Sequence, residues 1–331
     1  MKPLLVTMGD AAGIGPETVM KAFAAGELAD AVVIGDAAVF RREGGAMVAV
    51  LDAPEDLALV PPGCLPVLAA PGLPQDLASL PRGQVDGRNG AAAARCIEHA
   101  VRLVTAAQGR AIVTAPIHKE ALSAAGLPFP GHTEMLQALA TPPGGAPPAV
   151  RMMLANDELR VVLVTIHLSL RRAIEAVTFD AVLDTLRITQ RSAAAWGFDA
   201  PRIAVAGLNP HAGEGGLFGD EEQRVIVPAI DAARADGIAA SGPFAPDTVF
   251  MRARRGEFDF VVSMVHDHGL IAVKYLGVEQ GVNVTLGLPF VRTSPDHGTA
   301  FDIAGRGVAD AASLIAAARC ARRLAAQSPA G

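Results

Sequence analysis

The feature of this chain that most constrains its fold is the alternation of short apolar runs with longer helix-like stretches along all 331 residues. Eight runs are mostly continuously apolar, which is typical of strands buried on both faces of a sheet, and they span Leu4–Met8, Ala31–Ile34, Met47–Leu51, Ala111–Thr114, Val161–Thr165, Arg202–Ala206, Phe258–Val262 and Val282–Leu286. Five longer stretches predict helices at Pro16–Ala25, Asn89–Ala107, Phe179–Trp196, Glu221–Ala235 and Ala309–Ala326. This alternation indicates an α/β fold with a mostly parallel sheet. Two Pro- and Gly-rich segments, 61–83 and 141–148, are predicted to be loops or linkers.

The composition limits the classes of partner and compartment. A chain of this length is expected to form two domains. The 28 Lys and Arg against 34 Asp and Glu give a formal charge of −6, which argues against nucleic acid as a partner. The three cysteines are scattered and form no CxxC, so we expect a reducing cytoplasm. The first apolar stretch is broken at Asp10, too early for a signal peptide, and no run of about 18 apolar residues predicts a membrane span.

Three histidines follow apolar runs in equivalent positions: His167, His211 and His266. Ligands of α/β proteins commonly bind at the carboxyl ends of strands, although a single histidine there is most often structural. Three neutral imidazoles at such ends predict a divalent-metal site with open positions for substrate. Their spacing matches no HExxH or CxxC motif, so the spacing itself is not specific. His99 differs because it lies inside a predicted helix, where we expect a structural role.

Two more polar groups follow the run that ends at Thr114. The first is TAPIHKEAL, with His118 and Lys119; only four of the 28 basic residues are Lys, so a Lys at a strand end stands out. Its compact charge suits proton transfer or contact with phosphate, and the alternative is a turn with a surface Lys. The second is FPGHTEML, where Thr133 is predicted to N-cap a helix directly after His132. Such a helix start either binds an anion or is a plain cap.

A third polar region contains Lys274, Asn283 and Arg292, spaced nine residues apart. Two cations and an amide suit a phosphate or carboxylate, and the alternative is a solvated loop.

Several familiar motifs are missing from the chain. The segment GIGPET at 13–18 fails the GxGxxG pattern, and neither GxxxxGK[ST] nor GxSxG occurs. The sequence therefore disfavours a P-loop nucleotidase and an α/β hydrolase.

Taken together, the motifs resemble the 4-hydroxythreonine-4-phosphate dehydrogenase family of pyridoxal phosphate biosynthesis. The similarity runs from GDAAGIGPE at 9–17 to DHGTAFDIAGRG at 296–307. The blocks HKEAL, GHTE, GLNPHAGEGG, HDHGL and GVNVTLGLPFVRTSPDHGTA are long enough to be specific. Two blocks depart from the family pattern. Met8 and Ala11 replace prolines of the usual PGDPAGIGPE, and His268 replaces the Gln of HDQGL.

The resemblance implies a two-domain α/β/α subunit related to isocitrate and isopropylmalate dehydrogenases, with the active site in the cleft between the domains. We expect residues 1–128 and 276–331 to form the domain on the cofactor side. Residues 129–275 are expected to form the domain for metal, substrate and dimerisation. The resemblance also implies a homodimer in which the partner chain completes the site.

The same resemblance assigns roles to individual residues. The metal ligands would be His167, His211 and His266. The substrate and its phosphate would be held by His132, Thr133, Lys274, Asn283 and Arg292. The loop HGTAFDIAG at 297–305 looks like the HGSAPDIAG-type loop that grips the adenosine of NAD in isopropylmalate dehydrogenases, which makes cofactor ligands of His297, Gly298, Thr299, Ala300 and Asp302. Lys119 and Asp247 are the candidate proton-transfer groups, and the sequence does not choose between them.

The implied reaction is the NAD- or NADP-dependent oxidation and decarboxylation of 4-phosphohydroxy-L-threonine to 3-amino-2-oxopropyl phosphate in vitamin B6 biosynthesis. A divalent cation (zinc, magnesium, manganese or cobalt) would polarise the alcohol oxygen as a Lewis acid. Because of the departures near the site, two other substrates stay open: a phosphorylated four-carbon sugar acid, and a cis-dihydrodiol dicarboxylate such as terephthalate dihydrodiol. A non-redox metallohydrolase and a catalytically silent binding paralogue are more distant alternatives.

Overall fold

A computed structural model describes residues 2–327, and the chain divides into two compact units. The described parts of Met1–Pro148 and Leu288–Gly331 form the first unit, and Ala149–Gly287 forms the second. The expected assignment of functional domains to 1–128 plus 276–331 and to 129–275 stays a prediction. Within residues 2–327, no helix combines the length and apolar character that a membrane span requires.

The described residues contain twelve strands. In chain order they are β1 (Leu4–Thr7), β2 (Ala31–Ile34), β3 (Met47–Leu51), β4 (Cys64–Leu68), β5 (Ala111–Thr114), β6 (Arg151–Ala155), β7 (Arg160–Leu163), β8 (Ile203–Ala206), β9 (Ala240–Phe244), β10 (Phe260–Ser263), β11 (Val282–Leu286) and β12 (Arg292–Pro295). All eight predicted strands are present, with ends shifted by at most a few residues. Three of the four others, β4, β9 and β12, contain Pro or Gly, which hid their pattern.

Eleven α-helices accompany the strands in the part of the chain that the structure describes. They are α1 (Gly15–Ala24), α2 (Ala37–Glu43), α3 (Gly87–Thr105), α4 (Lys119–Ala124), α5 (His132–Leu139), α6 (Leu170–Ala176), α7 (Phe179–Ala193), α8 (Val227–Ala235), α9 (Val249–Arg254), α10 (His266–Lys274) and α11 (Ala312–Gln327). The five predicted helices are confirmed. A π-helical turn, Glu222–Ile226, leads into α8.

The prediction that 61–83 is a loop is wrong in part, because β4 lies inside it. All five residues of β4 are buried, and the strand pairs in parallel with β2 and β3. Pro66 lies within this run and obscured it, but burial of the apolar side chains outweighs the missing N–H of one proline. The segment 141–148 contains neither helix nor strand, as predicted.

The first unit has the strand order β3-β4-β2-β1-β5-β12, and the pairings in it are parallel. Every residue of β1, β2 and β5 is buried, as their continuous apolar runs predict. Helices α3 and α4 pack so closely that a Cβ built on Gly90 would lie 2.1 Å from the Ala121 carbonyl oxygen. Glycine is required at this crossing.

The second unit has the strand order β11-β6-β7-β10-β8-β9. Strands β7, β10, β8 and β9 run parallel, whereas β6 is antiparallel to both β11 and β7. The prediction of a mostly parallel sheet is therefore confirmed, with β6 as the exception. The core of the second unit is mostly aliphatic, with Leu154, Val161, Val261 and Leu270 among the buried side chains.

Candidate functional site

The carboxyl ends of β1, β5 and β12 lie side by side in the first unit, since these parallel strands are neighbours. Asp10 follows β1, and its N–H donates to the Pro116 carbonyl at 2.9 Å. Its side chain is 1% exposed; Oδ1 accepts from the Ala12 N–H at 2.9 Å, while Oδ2 has no partner among the described residues. Burial raises the pKa of Asp10 to about 6, against the lowering effects of the Ala12 hydrogen bond and of His118. Buried carboxyl groups with a raised pKa are common at functional sites.

Arg292 is the first residue of β12, and it is 2% exposed. Its Nε and Nη2 both donate to Thr114 Oγ1, at 3.2 and 2.6 Å, at the end of the neighbouring β5. Burial lowers the pKa of Arg292 to about 9. A guanidinium in such a site binds an anion strongly, because little water competes for its hydrogen bonds.

His132 lies close to Arg292, at the first position of α5. The N-cap of α5 is Gly131, so the prediction that Thr133 caps the helix is wrong; the helix begins two residues earlier than predicted, and Thr133 is partly exposed in its first turn. The His132 ring hydrogen-bonds to the backbone of Ala115, and burial together with the charge of Arg292 holds its pKa well below the usual range. Its Nε2 is buried without a partner among the described residues. A neutral imidazole here offers a hydrogen bond but no charge.

Lys119 is the first residue of α4, directly after the N-cap His118. A Cβ built on Gly131 would lie 4.0 Å from Lys119 Cε, so the Lys stem passes close to the start of α5. The first unit therefore brings together three of the residues predicted from the sequence: Lys119, His132 and Arg292.

The predicted cofactor loop, 297–305, is anchored against segments that follow β1 and β5. The Ile14 N–H donates to the Thr299 carbonyl at 3.0 Å. A Cβ built on Gly13 would lie 2.9 Å from the same carbonyl oxygen, so this approach requires glycine. On the other side, the ring of Phe301 stacks on His118 with centroids 4.4 Å apart. The loop is thus fixed at two points.

The predicted cofactor ligands differ in accessibility. Gly298 and Asp302 are exposed, and nothing lies within 4 Å of a Cβ built on Gly298. His297 is partly exposed, and its Nδ1 lies 2.9 Å from the Gly298 carbonyl oxygen. Ala300 adopts a φ of 42°, and Thr299 is only 7% exposed. An open glycine beside an exposed carboxylate fits the ribose hydroxyls of a dinucleotide, whereas Thr299 serves as an anchor.

The second unit carries the three predicted metal ligands after β7, β8 and β10, which are neighbouring parallel strands. The rings of His167 and His266 lie 5.6 Å apart and are inclined by 46°. Nδ1 of His266 lies 2.7 Å from Asp267 Oδ1, a contact that orients the ring. The ring of His211 lies beside Phe218, and residues 2–327 hold no group of three or more His, Cys, Asp or Glu arranged for a metal ion. Two of the three predicted ligands are brought together.

The loop that carries His211 has an unusual backbone. Residues 211–215 all have positive φ, including 53° at His211, and each non-glycine residue in this region costs roughly 1–2 kcal/mol. The carboxylate of Glu222, which is 2% exposed, holds the start of this loop. Its Oε1 accepts from the N–H groups of Leu208 and Asn209 at 2.7 and 2.8 Å, and its Oε2 accepts from Asn209 Nδ2 at 2.9 Å. Strain held in place by a buried group is common at functional sites.

The remaining predicted residues lie in the second unit, and each is described by its element and its exposure. Lys274 ends α10, and Asn283 lies in β11 opposite Leu154; both are partly exposed. Asp247 is exposed in the turn between β9 and α9. His268, the departure from the family pattern, is exposed in the first turn of α10.

Three residues that the structure singles out received no role from the sequence: Asp10, Thr114 and Glu222. Asp10 was visible as an acid directly after an apolar run, inside a motif block. Thr114 looked like an ordinary strand end. Glu222 could not be told from its neighbour Glu221, because both lie at the start of a predicted helix.

This chain is similar to known proteins over nearly its whole length. A family model described as pyridoxal phosphate biosynthetic protein PdxA matches residues 27–321. The 4-hydroxythreonine-4-phosphate dehydrogenase of Beijerinckia indica is 53% identical, over 99% of this chain and 96% of its own. The D-threonate 4-phosphate dehydrogenase of Pectobacterium atrosepticum is 44% identical, over 98% and 99%. A crystal structure of 4-hydroxythreonine-4-phosphate dehydrogenase from Klebsiella pneumoniae, 42% identical, matches with a TM-score of 0.88 over 98% of this chain and 100% of its own.

Proposed function

We propose, since this chain belongs to the PdxA family of pyridoxal phosphate biosynthetic proteins, that it is an oxidoreductase acting on the CH–OH group of a phosphorylated hydroxy acid. The substrate we assign is 4-phosphohydroxy-L-threonine. Oxidation of its secondary alcohol gives a β-keto acid, which loses CO₂ to yield 3-amino-2-oxopropyl phosphate. The reaction serves vitamin B6 biosynthesis.

The observation that carries this proposal is the buried cationic group of the first unit. Arg292 supplies a desolvated guanidinium, and His132 supplies a neutral imidazole whose Nε2 has no partner among the described residues. The N-terminal turn of α5 has no side-chain cap, so its N–H groups and positive dipole end add to an anion site. Thr133 lies in the same turn and adds a hydroxyl. This combination suits the phosphate of the substrate.

The remaining substrate ligands and the proton-transfer groups complete the assignment. Lys274 and Asn283 of the second unit are proposed to hold the amino acid portion of the same substrate. Lys119, which passes the start of α5, is our first candidate to remove the alcohol proton and to return a proton to carbon after CO₂ leaves. Asp247 is the second candidate.

A nicotinamide cofactor, NAD or NADP, accepts the hydride when it is bound. In this chain the loop 297–305 is proposed to hold its adenosine end through Gly298 and Asp302, which are exposed, and through His297 and Ala300. Thr299 supports the loop from inside. The anchoring of this loop to Ile14 and His118 keeps its shape fixed before the cofactor binds, which lowers the entropic cost of binding.

We also propose that His167, His211 and His266 hold a divalent cation such as zinc, magnesium, manganese or cobalt. Imidazole nitrogen suits zinc and cobalt best in this series. The pairing of His167 with His266, and the orientation of His266 by Asp267, support this proposal. Because the third ring is not grouped with the other two, we assign no step of the reaction to the metal.

A second candidate substrate is D-threonate 4-phosphate, because relatives that carry this name are 44% identical to the chain. It has the same phosphate and a hydroxyl in place of the amine, so the same anion site fits it. A cis-dihydrodiol dicarboxylate is a weaker candidate, since it leaves a phosphate site unused. A non-redox metallohydrolase is weaker still, because it has no need of the loop 297–305.

A homodimer in the cytoplasm completes the proposal. Five large apolar side chains of the second unit are exposed, and exposed apolar surface favours contact between protein chains: Leu168, Leu170, Leu217, Phe218 and Tyr275. Sedimentation of the purified protein tests the dimer.

The function is tested by a substrate panel that is read as NADH formation. The purified chain is incubated with NAD and a divalent cation, with 4-phosphohydroxy-L-threonine, D-threonate 4-phosphate or terephthalate dihydrodiol. We expect the first to give the highest kcat/KM. A higher value for D-threonate 4-phosphate would transfer the assignment to the second candidate, and turnover of the dihydrodiol alone would remove the phosphate role of Arg292 and His132.

A further inference from the structure

We infer that Thr114 is a positioning residue that sets how Arg292 presents its guanidinium to the anionic group of the substrate. The inference rests on the proposed function, in which Arg292 holds the phosphate. It adds a residue at the end of β5 that contacts no substrate itself and acts through the arginine.

The geometry is that of one acceptor shared by two donors. Thr114 Oγ1 accepts from Nε at 3.2 Å and from Nη2 at 2.6 Å of Arg292, and both residues are buried. The hydroxyl therefore occupies the Nε–Nη2 edge of the guanidinium. A phosphate cannot fork onto the same edge.

The neutral character of the hydroxyl matters as much as its position. A carboxylate at residue 114 would orient Arg292 equally well but would neutralise the charge that attracts the phosphate. A hydroxyl fixes the direction of the guanidinium and leaves its charge available. Threonine also fits the end of a buried strand, because its branched side chain has restricted rotamers.

The next residue, Ala115, extends this arrangement. Its backbone hydrogen-bonds to the ring of His132, so consecutive residues of one strand end orient both proposed phosphate ligands. Strand β5 is paired with β1 on one side and β12 on the other. The two ligands are thus aligned by a rigid element instead of a loop.

The test uses Thr114→Val, which keeps the shape and removes the acceptor, and Thr114→Ser, which keeps the acceptor. The matched control is Thr7→Val: Thr7 pairs with Thr114 in register on β1, is 0% exposed, and its Oγ1 has no partner among the described residues. A hydrogen bond to a charged group contributes more free energy than one between neutral groups. We therefore expect Thr114→Val, which removes such a bond to Arg292, to raise KM for the phosphorylated substrate about 10-fold. We expect kcat to change less than about 2-fold, Thr114→Ser to restore KM to within about 3-fold, and Thr7→Val to leave both constants unchanged.

Two further measurements distinguish a failure of the positioning role of Thr114 from a failure of the phosphate assignment of Arg292. Arg292→Met is assayed in parallel, and unphosphorylated 4-hydroxythreonine is used as a second substrate. If Arg292→Met leaves KM for the phosphorylated substrate unchanged, the phosphate assignment of Arg292 fails. If Arg292→Met raises that KM and Thr114→Val does not, the positioning role of Thr114 is overturned. An equal effect of Thr114→Val on both substrates also overturns it, since a general loss of structure explains that result.

Thermal melting confirms that each variant is folded. If Thr114→Val does not fold, Thr114→Ala takes its place, since it removes the same acceptor without adding a methyl group against Arg292. Binding of inorganic phosphate by calorimetry then replaces the rate assay. We expect the Ala variant to lose about 10-fold in phosphate affinity relative to Thr114→Ser, and equal affinities for the two would contradict the inference.

Discussion

The imidazole of His118 stacks on the ring of Phe301, with centroids 4.4 Å apart and planes inclined by 17°. His118 is the N-cap residue of α4, which begins with Lys119, and Phe301 belongs to the proposed cofactor loop. The stack therefore joins the helix of the candidate base to the loop that would hold NAD. Cofactor binding depends on this contact in our account.

Replacement of Phe301 by Leu removes the stack and keeps an apolar side chain. Aromatic pairs contribute about 0.5–1.5 kcal/mol beyond burial, so we expect KM for NAD to rise roughly 2- to 10-fold. Steady-state kinetics with varied NAD measure it. Phe198→Leu is the matched control, because Phe198 packs edge-on against Phe260 in the second unit. An unchanged KM for NAD in the Phe301 variant would show that the stack does not support the cofactor.

Asp10 makes stability depend on pH. Its pKa is raised from 3.8 to about 6, so the folded chain binds this proton more tightly than the unfolded chain does. The stability that Asp10 contributes is therefore present at low pH and is lost as the pH rises through about 6. We expect Asp10→Asn to raise the free energy of unfolding at about pH 8 by roughly 1–3 kcal/mol, and by much less near pH 4. Urea unfolding at both pH values measures this.

The control for Asp10 is Asp52→Asn, which changes an exposed carboxylate. It is expected to leave stability nearly unchanged at both pH values. If Asp10→Asn raised the free energy of unfolding equally at both pH values, the result would contradict this explanation, because burial destabilises only the ionised form of Asp10.

Glu222→Gln tests the anchoring of the loop that carries His211. The amide keeps the size of the carboxylate but places an N–H₂ group against the donors of Leu208 and Asn209. We expect a loss of roughly 2–3 kcal/mol in stability and faster hydrogen exchange in the peptide 207–216. Glu221→Gln is the matched control, since Glu221 is only partly buried and accepts one bond, from Asn209 Nδ2 at 2.7 Å. Equal exchange rates in both variants would show that Glu222 does not hold the loop.

The sequence predicted the α/β class because buried parallel strands are continuously apolar, as in β1, β2 and β5. It missed β4 and β9, whose Pro and Gly interrupt the pattern while tertiary burial still stabilises them. At the candidate site, the rare Lys119 and the strand-end histidines were visible as residue types in unusual places. The roles of Thr114 and Glu222 were not, because they depend on partners distant in the chain: Arg292 lies 178 residues from Thr114.

The central claim is tested most directly by the stoichiometry of the reaction on 4-phosphohydroxy-L-threonine. The purified chain is incubated with this substrate, NAD and a divalent cation, and NADH, CO₂ and 3-amino-2-oxopropyl phosphate are measured in the same samples. The account predicts that the three are formed in equal amounts. Release of inorganic phosphate without NADH would contradict it and would indicate a hydrolase.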